Sequence, residues 1–413
     1  MEKNEFQYCQ QCGTKNEQMA QFCINCGSAL QTQSESATTN KTTMTNESTA
    51  TTTSQPATVT SQQVTTEAQE NVDSVSSLTP QHHSGMIDEA THELNNWAGG
   101  DGSVHLKLST FLSEVFRNHT QEEAEEIFIV GTRETTPPLA DVVDDKIQPW
   151  LFSRVLVLIV FSGFLLQFLA LLNANFGTVY SMDAIMAISV PVAALMLFFE
   201  MNIYKNISMY QVVQIFSIGG ILSIIAAVII DLLIGNGGSI DFVGAMLTGF
   251  AEELGKVIVA AYFVKKLNAN NIFNGMLIGA AVGSGFAAFE NITYMFGSHG
   301  QFAPISYALF RSITSISTHG EWCAIATAGL VVAKGYGSLE FSTFFDRRFL
   351  RFFFMVVILH MLWDWNLLNG LGLVRYVILA VCTWVLVFVF INAGLQQVKQ
   401  RQIEQRREMQ TSA

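Results

Sequence analysis

The sequence predicts an all-α polytopic membrane protein with about eight transmembrane helices, preceded by an N-terminal region of different character. Half of the 413 residues are hydrophobic and only 14% are charged, which is more apolar than a soluble globular protein usually is. Residues 1–146 contain 21 acidic and 7 basic residues, whereas residues 147–413 contain 13 and 15. The net charge of −12 therefore belongs to the N-terminal region, and the remainder is expected to lie in a membrane.

Eight apolar segments of roughly 20 residues each occupy residues 147–396, and this length matches ~30 Å of hydrocarbon. They centre near positions 163, 192, 222, 254, 284, 320, 359 and 384. Lysine and arginine concentrate in the loops after the second, fourth and sixth segments and in the basic tail 397–413. By the positive-inside rule, we expect a multi-pass protein of the cell membrane with both termini in the cytoplasm. The first residues contain no signal-peptide pattern, which agrees with this orientation.

Four cysteines near the N-terminus have the spacing of a metal-binding module. Cys9 with Cys12 and Cys23 with Cys26 form two CxxC pairs separated by ten residues, each followed by glycine. Four thiolates at this spacing can surround one tetrahedral Zn²⁺. We expect residues 1–30 to form a cytoplasmic zinc ribbon whose zinc is structural, since four protein ligands close its coordination shell. Acidic residues outnumber basic ones here, so a protein partner is favoured and nucleic acid is not expected.

Two further segments connect this module to the membrane. Residues 31–83 are rich in Thr, Ser, Gln and Asn and lack the large apolar side chains of a core, which predicts a disordered linker. Residues 84–146 have helical patterns, including a capping box of Thr120 and Glu123, and are predicted to form a short acidic helical juxtamembrane domain. A solvated platform without a ligand is the favoured interpretation of this domain, because charge runs are usually solvated faces.

Ionisable residues recur inside four consecutive apolar segments, at Glu252, Glu253, Lys256, Glu290, His319, His360 and Asp364. An ionisable side chain at the bilayer centre costs at least ~2.5 kcal/mol, so those retained there usually face the bundle interior and mark a functional site. Their similar depth predicts one shared polar cavity.

Two stripes at four-residue spacing predict how the helices face. Small residues at Gly275, Gly279, Gly283 and Ala287 form a ridge that allows close helix packing, and Glu290 continues this ridge towards a neighbouring helix. In the sixth segment the same spacing relates Arg311, Ser315, His319 and Cys323, which predicts one helix with His319 about halfway along it.

The adjacent glutamates predict acid–base chemistry. Two neighbouring carboxylates in a low dielectric cannot both ionise cheaply, and Lys256 lies within one helical turn of both. Either Glu252 or Glu253 is therefore expected to act as a general base near neutral pH. The competing interpretation is that Lys256 only neutralises a glutamate used in helix packing. The other ionisable groups at neighbouring depths disfavour it.

At these residues the sequence resembles the PrsW family of intramembrane proteases. EELGK at 252–256 matches its EExxK motif, FAAFE at 286–290 matches FxxxE, and HMLWD at 360–364 supplies the histidine of a late span. The resemblance covers roughly residues 150–395. More distantly, the sequence looks like the type II CAAX prenyl proteases, which share a double glutamate and histidines on later spans.

The resemblance implies that the protein hydrolyses a peptide bond of a membrane-anchored substrate, in the best-known branch an anti-sigma factor. Glu290, His319 and His360 are candidate ligands of a catalytic divalent metal, expected to be Zn²⁺. Asp364 is either a further ligand or the carboxylate that orients His360. The alternative is a metal-free site, in which the imidazoles hydrogen-bond the tetrahedral intermediate.

Two other classes of function remain open on the sequence. An ion- or proton-coupled transporter also places carboxylates and histidines in the membrane interior. The charged cluster lies entirely in the second half, and no repeat relates the two sets of four segments, which disfavours transport. An inactive membrane sensor or scaffold, with the zinc ribbon as its working part, is disfavoured because the motifs are intact.

Overall fold

The structure is a computed structural model that describes residues 86–104, 107–132, 134–143, 145–172, 176–235, 240–297 and 304–411, together with two strands near the N-terminus. The helices confirm the all-α fold class of the membrane domain. They are α1 (Met86–Trp97), α2 (Leu108–Phe111), α3 (Gln121–Phe128), α4 (Leu151–Leu172), α5 (Phe176–Met201), α6 (Met209–Gln214), α7 (Gly220–Ile234), α8 (Phe242–Lys266), α9 (Ile272–Gly297), α10 (Ile305–Thr314), α11 (His319–Lys334), α12 (Arg347–Asp364) and α13 (Leu373–Thr411). Short 3₁₀ segments lie at Leu139–Asp141, Ser315–Ser317, Phe341–Phe345 and Asn366–Leu371, and a π-helical turn at Ile215–Gly219 joins α6 to α7.

The two strands belong to the predicted zinc ribbon. β1 (Phe6–Tyr8) and β2 (Lys15–Glu17) pair in antiparallel register, with Phe6 opposite Glu17. The metal ligands predicted for this module, Cys9, Cys12, Cys23 and Cys26, lie outside the described residues, as does the predicted linker 31–83. The structural zinc therefore stays a prediction.

Five of the predicted spans are long and apolar enough to cross a membrane: α4, α5, the continuous α6–α7 unit, α9 and α13. The other three positions are helical as well, but they differ from an ordinary lipid-spanning helix. α8 and α12 each contain at least three charged residues, and α11 has only 16 residues. These less apolar helices carry most of the predicted site.

The prediction of one continuous sixth helix is wrong. α10 ends at Thr314, a 3₁₀ turn follows, and Thr318 adopts φ −121° and ψ −130°, which no α-helix contains. α11 then begins at His319, so this residue stands at a helix N-terminus instead of midway along a polar stripe. The i,i+4 pattern did not reveal the break, because a stripe of polar residues is compatible with two helices that meet at an angle.

α9 is the central helix of the bundle and is almost wholly buried. Its glycine ridge faces α11, as the four-residue spacing predicted. A Cβ atom on Gly279 would overlap the carbonyl group of Cys323, and one on Gly283 would overlap the carbonyl group of His319. The two backbones are therefore in direct contact, and the ridge determines how close His319 lies to α9.

The juxtamembrane domain packs against the ends of the last two helices. The ring of Trp97 lies 4.4 Å from the guanidinium carbon of Arg351 at the start of α12. Gln402 of α13 donates hydrogen bonds to backbone carbonyl groups beside the 3₁₀ segment Leu139–Asp141. The predicted capping box is present, with reciprocal hydrogen bonds between Thr120 and Glu123.

Replacing Gly283 with alanine should disturb the α9–α11 contact. The added methyl group has to displace the backbone at His319, and overpacking of this kind typically costs about 1–3 kcal/mol. We expect Gly283→Ala to lower the thermal unfolding temperature in detergent. Gly370→Ala is the matched control, because nothing lies within 4 Å of a Cβ at that position. Equal stability of the two variants would contradict the close packing described here.

Candidate active site

Four helices bring all seven predicted site residues into one connected cluster. α8 supplies Glu252, Glu253 and Lys256, α9 supplies Glu290, α11 supplies His319, and α12 supplies His360 and Asp364. These groups lie together, as expected for one shared polar cavity, because the apolar faces of the four helices pack around them.

Lys256 lies at the centre of the cluster and is completely buried. Its Nζ atom is 2.9 Å from Glu253 Oε1, 3.2 Å from Glu252 Oε2 and 2.8 Å from His319 Nδ1. The same atom lies 4.0 Å from the centre of the Phe286 ring, at a distance typical of a cation–π contact. A buried ammonium needs such partners, because an unpaired charge in a membrane interior is costly.

The contacts of His319 determine which of its ring nitrogens carries the proton. An ammonium group has only donors, so Nδ1 accepts from Lys256 and carries no proton. The proton is then on Nε2, which lies 2.9 Å from Glu290 Oε2 and donates to it. Glu290 thus faces the neighbouring helix, as the ridge predicted, and fixes the tautomer of His319.

His360 is held between two carboxylates. Its Nδ1 is 2.8 Å from Glu253 Oε1, and its Nε2 is 3.3 Å from Asp364 Oδ2 one helical turn away. The Nε2 atom also lies 3.8 Å from Glu252 Oε2. Glu253 and Asp364 therefore orient the imidazole ring from opposite sides.

The two adjacent glutamates have different environments. The Glu253 side chain is fully buried, and within the part of the chain that the structure describes its Oε2 atom has no hydrogen-bond partner. The Glu252 side chain is 19% exposed, and its contacts with the cluster are made by Oε2. Of these two glutamates, Glu252 is therefore the one that can meet a water molecule.

Three of these residues have donor atoms in an arrangement that fits a divalent metal ion. Glu252, His319 and His360 each place one ligand atom within 4.8 Å of the others. The Glu252 Oε2 atom is 3.9 Å from His319 Nδ1 and 3.8 Å from His360 Nε2. Tetrahedral zinc with bonds of about 2.0–2.2 Å separates its ligand atoms by roughly 3.4 Å, so these two distances exceed the tetrahedral separation by only about 0.5 Å.

The surroundings of these donors also fit a metal. The far nitrogen of each histidine contacts a carboxylate, Glu290 for His319 and Glu253 for His360, as is usual for metal-ligating histidines. The sequence assigned Glu290 to the ligand set, but the structure groups Glu252 with the two histidines and places Glu290 behind His319. Lys256 would have to withdraw from His319 Nδ1 for a metal ion to bind there.

Two aromatic residues contact the cluster, and one of them, Trp322, was not singled out in the sequence. Trp322 packs its ring 4.9 Å from that of His360 and 5.6 Å from that of His319, while its indole nitrogen donates to Thr383 Oγ1 of α13 at 3.0 Å. Phe286 forms the wall beside Lys256. Trp322 reads as ordinary apolar core in the sequence, and only its proximity to His319 along the chain could have suggested its role. Phe286, in contrast, is the first residue of the FAAFE motif.

Residues 208–393 match the model of a family described as PrsW family intramembrane metalloprotease. This range contains the whole cluster and begins after α5, so the resemblance expected from about residue 150 starts later than predicted. Residues 7–31 match a second model, described as a domain of unknown function. No solved structure matches the chain.

Two curated relatives carry the name Protease PrsW. The chain is 28% identical to the one from Bacillus subtilis over 155 residues, which cover 37% of this chain and 66% of that protein. It is 26% identical to the one from Halalkalibacterium halodurans over 182 residues, which cover 43% of this chain and 80% of that protein. Over residues 208–393, which carry the cluster, the chain is similar to the PrsW family of intramembrane metalloproteases.

Proposed function

We propose that this protein hydrolyses a peptide bond of a membrane-anchored protein, and that Glu252 is the carboxylate that activates the attacking water. The proposal rests on the position of Glu252 Oε2, which lies near one ring nitrogen of His319 and one of His360. The opposite nitrogen of each histidine contacts a separate carboxylate. Peptide hydrolysis needs a base for the water and a positive or hydrogen-bonding group for the developing oxyanion.

The exposure of each side chain indicates its role in the reaction. The Oε1 atom of Glu252 is left to accept a proton from water, because its other oxygen faces Lys256 and the two histidines. Lys256 and Glu253 are fully buried, so neither contacts the substrate, and both hold the reacting groups in place. A divalent metal held by Glu252, His319 and His360 would polarise the scissile carbonyl group and lower the pKa of bound water.

The exposed fractions indicate the side from which the substrate enters. They fall from 29% at Asp364 through 20% at Glu290 and 10% at His319 to zero at Lys256. Asp364 is the last residue of α12, and Glu290 lies only about 10 Å from the C-terminal end of α9 at ~1.5 Å per residue. We infer that the site opens towards the ends of α9 and α12 that the positive-inside rule assigns to the outer face.

The substrate class follows from this placement. A site surrounded by membrane helices admits a peptide that is itself membrane-anchored, with its scissile bond near the outer face. A regulatory membrane protein such as an anti-sigma factor is the substrate that the family resemblance favours. The basic residues Arg347, Arg348 and Arg351 at the start of α12 favour the cytoplasm for the opposite face and for both termini.

The orientation can be tested by cysteine labelling in intact cells. We expect Gly370→Cys to react with a membrane-impermeant maleimide, because this position precedes α13 on the predicted outer side. Lys265→Cys, at the end of α8, should react only after the membrane is permeabilised. The reverse pattern would place the termini outside and would reverse the side of substrate entry.

Substitution of the two glutamates separates the base from the buried ion pair. Glu252→Gln should lower turnover of a membrane-anchored substrate by about 10²-fold or more, with thermal stability close to wild type. Glu253→Gln removes the closer of the two carboxylates that balance a fully buried lysine. Breaking a buried pair costs about 3–5 kcal/mol, so this variant should lower expression and thermal stability. Turnover and unfolding temperature of the purified variants would be measured together. Normal turnover by Glu252→Gln would refute its assignment as the base.

Metal content tests the ligand set. We expect the full-length protein to bind two zinc ions per chain, one at the four N-terminal cysteines and one at the cluster. Elemental analysis of purified His360→Ala should give one ion, and so should Cys9→Ser combined with Cys12→Ser. Only the first of these should lose activity. A wild-type protein with full activity and one ion, bound by the cysteines, would refute the catalytic metal and leave a metal-free glutamate mechanism.

A further inference from the structure

We propose that residues 108–117 form a lipid-binding anchor segment, which lies in the leaflet where α4 begins and the span of α13 ends. Its ligand is a bilayer surface with anionic phosphate headgroups, in the leaflet that the positive-inside rule assigns to the cytoplasm. The segment lies outside residues 208–393 and takes no part in the proposed peptidase chemistry. A juxtamembrane domain that was expected to be a solvated platform thus has one part in contact with lipid.

The anchor segment packs at the depth of the lipid. The buried ring of Phe111 meets the ring of Phe388 on α13 edge to face, with 5.4 Å between the ring centroids. α13 is apolar enough to cross a membrane, and residues 384–391 around this contact are all apolar. Phe388 lies 11 residues before Lys399, the first basic residue of the tail, which is about 16 Å of helix. Phe111 therefore lies below the charged end of α13, inside the membrane surface.

The other end of the anchor segment is attached to the lipid-facing side of α4. The Nη2 atom of Arg154, in the first turn of α4, donates to the backbone carbonyl of Arg117 at 2.9 Å. Val157 and Leu158 follow Arg154 by three and four residues, so they lie on the same face of the helix, and both are exposed. Most of α4 is exposed in this way, as expected for a peripheral span. The anchor segment therefore continues the lipid-facing surface of α4.

Two large apolar side chains of the anchor segment are exposed between these attachments. Phe116, the residue before Arg117, is 90% exposed, and Leu108 is 58% exposed. The simpler interpretation is that they are scattered apolar residues of a soluble surface, which are common. That interpretation does not account for the depth of Phe111 or for the contact with Arg154. In a membrane surface, the same two side chains are buried among acyl chains while the polar backbone stays near the headgroups.

Charge selects an anionic surface as the ligand. Residues 107–118 include Lys107 and Arg117 and one acidic residue, Glu114, whose Oε2 atom is 3.0 Å from Arg117 Nη1. Arg154 adds a third basic side chain beside them. The next part of the domain, residues 119–146, has eight acidic and two basic residues. Basic residues are attracted to an anionic leaflet and acidic residues are repelled, so the segment that bears the exposed apolar side chains is also the part suited to anionic lipid.

Photocrosslinking tests whether lipid covers the anchor segment. The photoreactive amino acid p-benzoylphenylalanine would replace Phe116 in the full-length chain, reconstituted in vesicles of phosphatidylglycerol and phosphatidylcholine. We expect illumination to give a lipid adduct, detected by intact-protein mass spectrometry, in a yield similar to that at Phe161 on the lipid-facing side of α4. The same replacement at Glu125, which is exposed on the acidic helix α3, should give a yield several-fold lower. A yield at Phe116 no higher than at Glu125, or a crosslink to a second protein chain in place of lipid, would overturn the proposal.

Hydrogen exchange gives a second readout that does not depend on a photoreactive group. The backbone amides of residues 108–117 should exchange several-fold more slowly in vesicles that contain phosphatidylglycerol than in vesicles of phosphatidylcholine alone. Combining Leu108→Ser with Phe116→Ser should raise the exchange in the anionic vesicles several-fold. Ile403→Ser is the matched control, because Ile403 is an exposed apolar residue on the C-terminal part of α13 and should leave this exchange unchanged. Equal exchange in the two lipids, or unchanged exchange in the double variant, would contradict the anionic lipid as the ligand.

Discussion

A single buried ammonium group organises the membrane domain. Lys256 is fully enclosed, so its charge has to be balanced by groups that reach it from the packed helices. Glu252 and Glu253 do so from its own helix, and His319 does so from α11. Glu253 then holds His360 of α12. The position of one charge thereby fixes three helices relative to one another, and Glu290 adds α9 through His319.

Close backbone packing provides the steric part of the same arrangement. His319 can approach Glu290 at 2.9 Å only because α9 presents Gly283 where any side chain would strike the His319 carbonyl. Helices in lipid have no hydrophobic driving force to bring them together, so small residues and polar contacts have to supply the association. The glycine ridge and the ion cluster are therefore two parts of one constraint, and neither would place the site alone.

The sequence was sufficient for the helical membrane fold and for the membership of the cluster, because a charge in an apolar segment is informative by its cost alone. It could not assign which of these side chains contact one another, or which glutamate is buried. Glu252 and Glu253 are adjacent in sequence, yet one side chain is 19% exposed and the other is fully buried, a difference set by how α8 is rotated against α12. The break at Thr318 was missed for a related reason. Side-chain periodicity reports which faces are polar but carries no information on the backbone angles of one residue.

That break has a consequence for the electrostatics of the site. Four carboxylates, Glu252, Glu253, Glu290 and Asp364, meet Lys256 and Arg311, which lies 3.4 Å from Glu290, so the carboxylates outnumber the lysine and arginine charges by two. By starting α11 at His319, the chain directs the positive end of a helix dipole at this cluster, which a continuous sixth helix could not do. A dipole end offers only a partial charge, about half an elementary charge, so it offsets the surplus of carboxylates only in part. A divalent cation between Glu252, His319 and His360, the metal proposed above, would offset the negative charge that Lys256 alone leaves unbalanced.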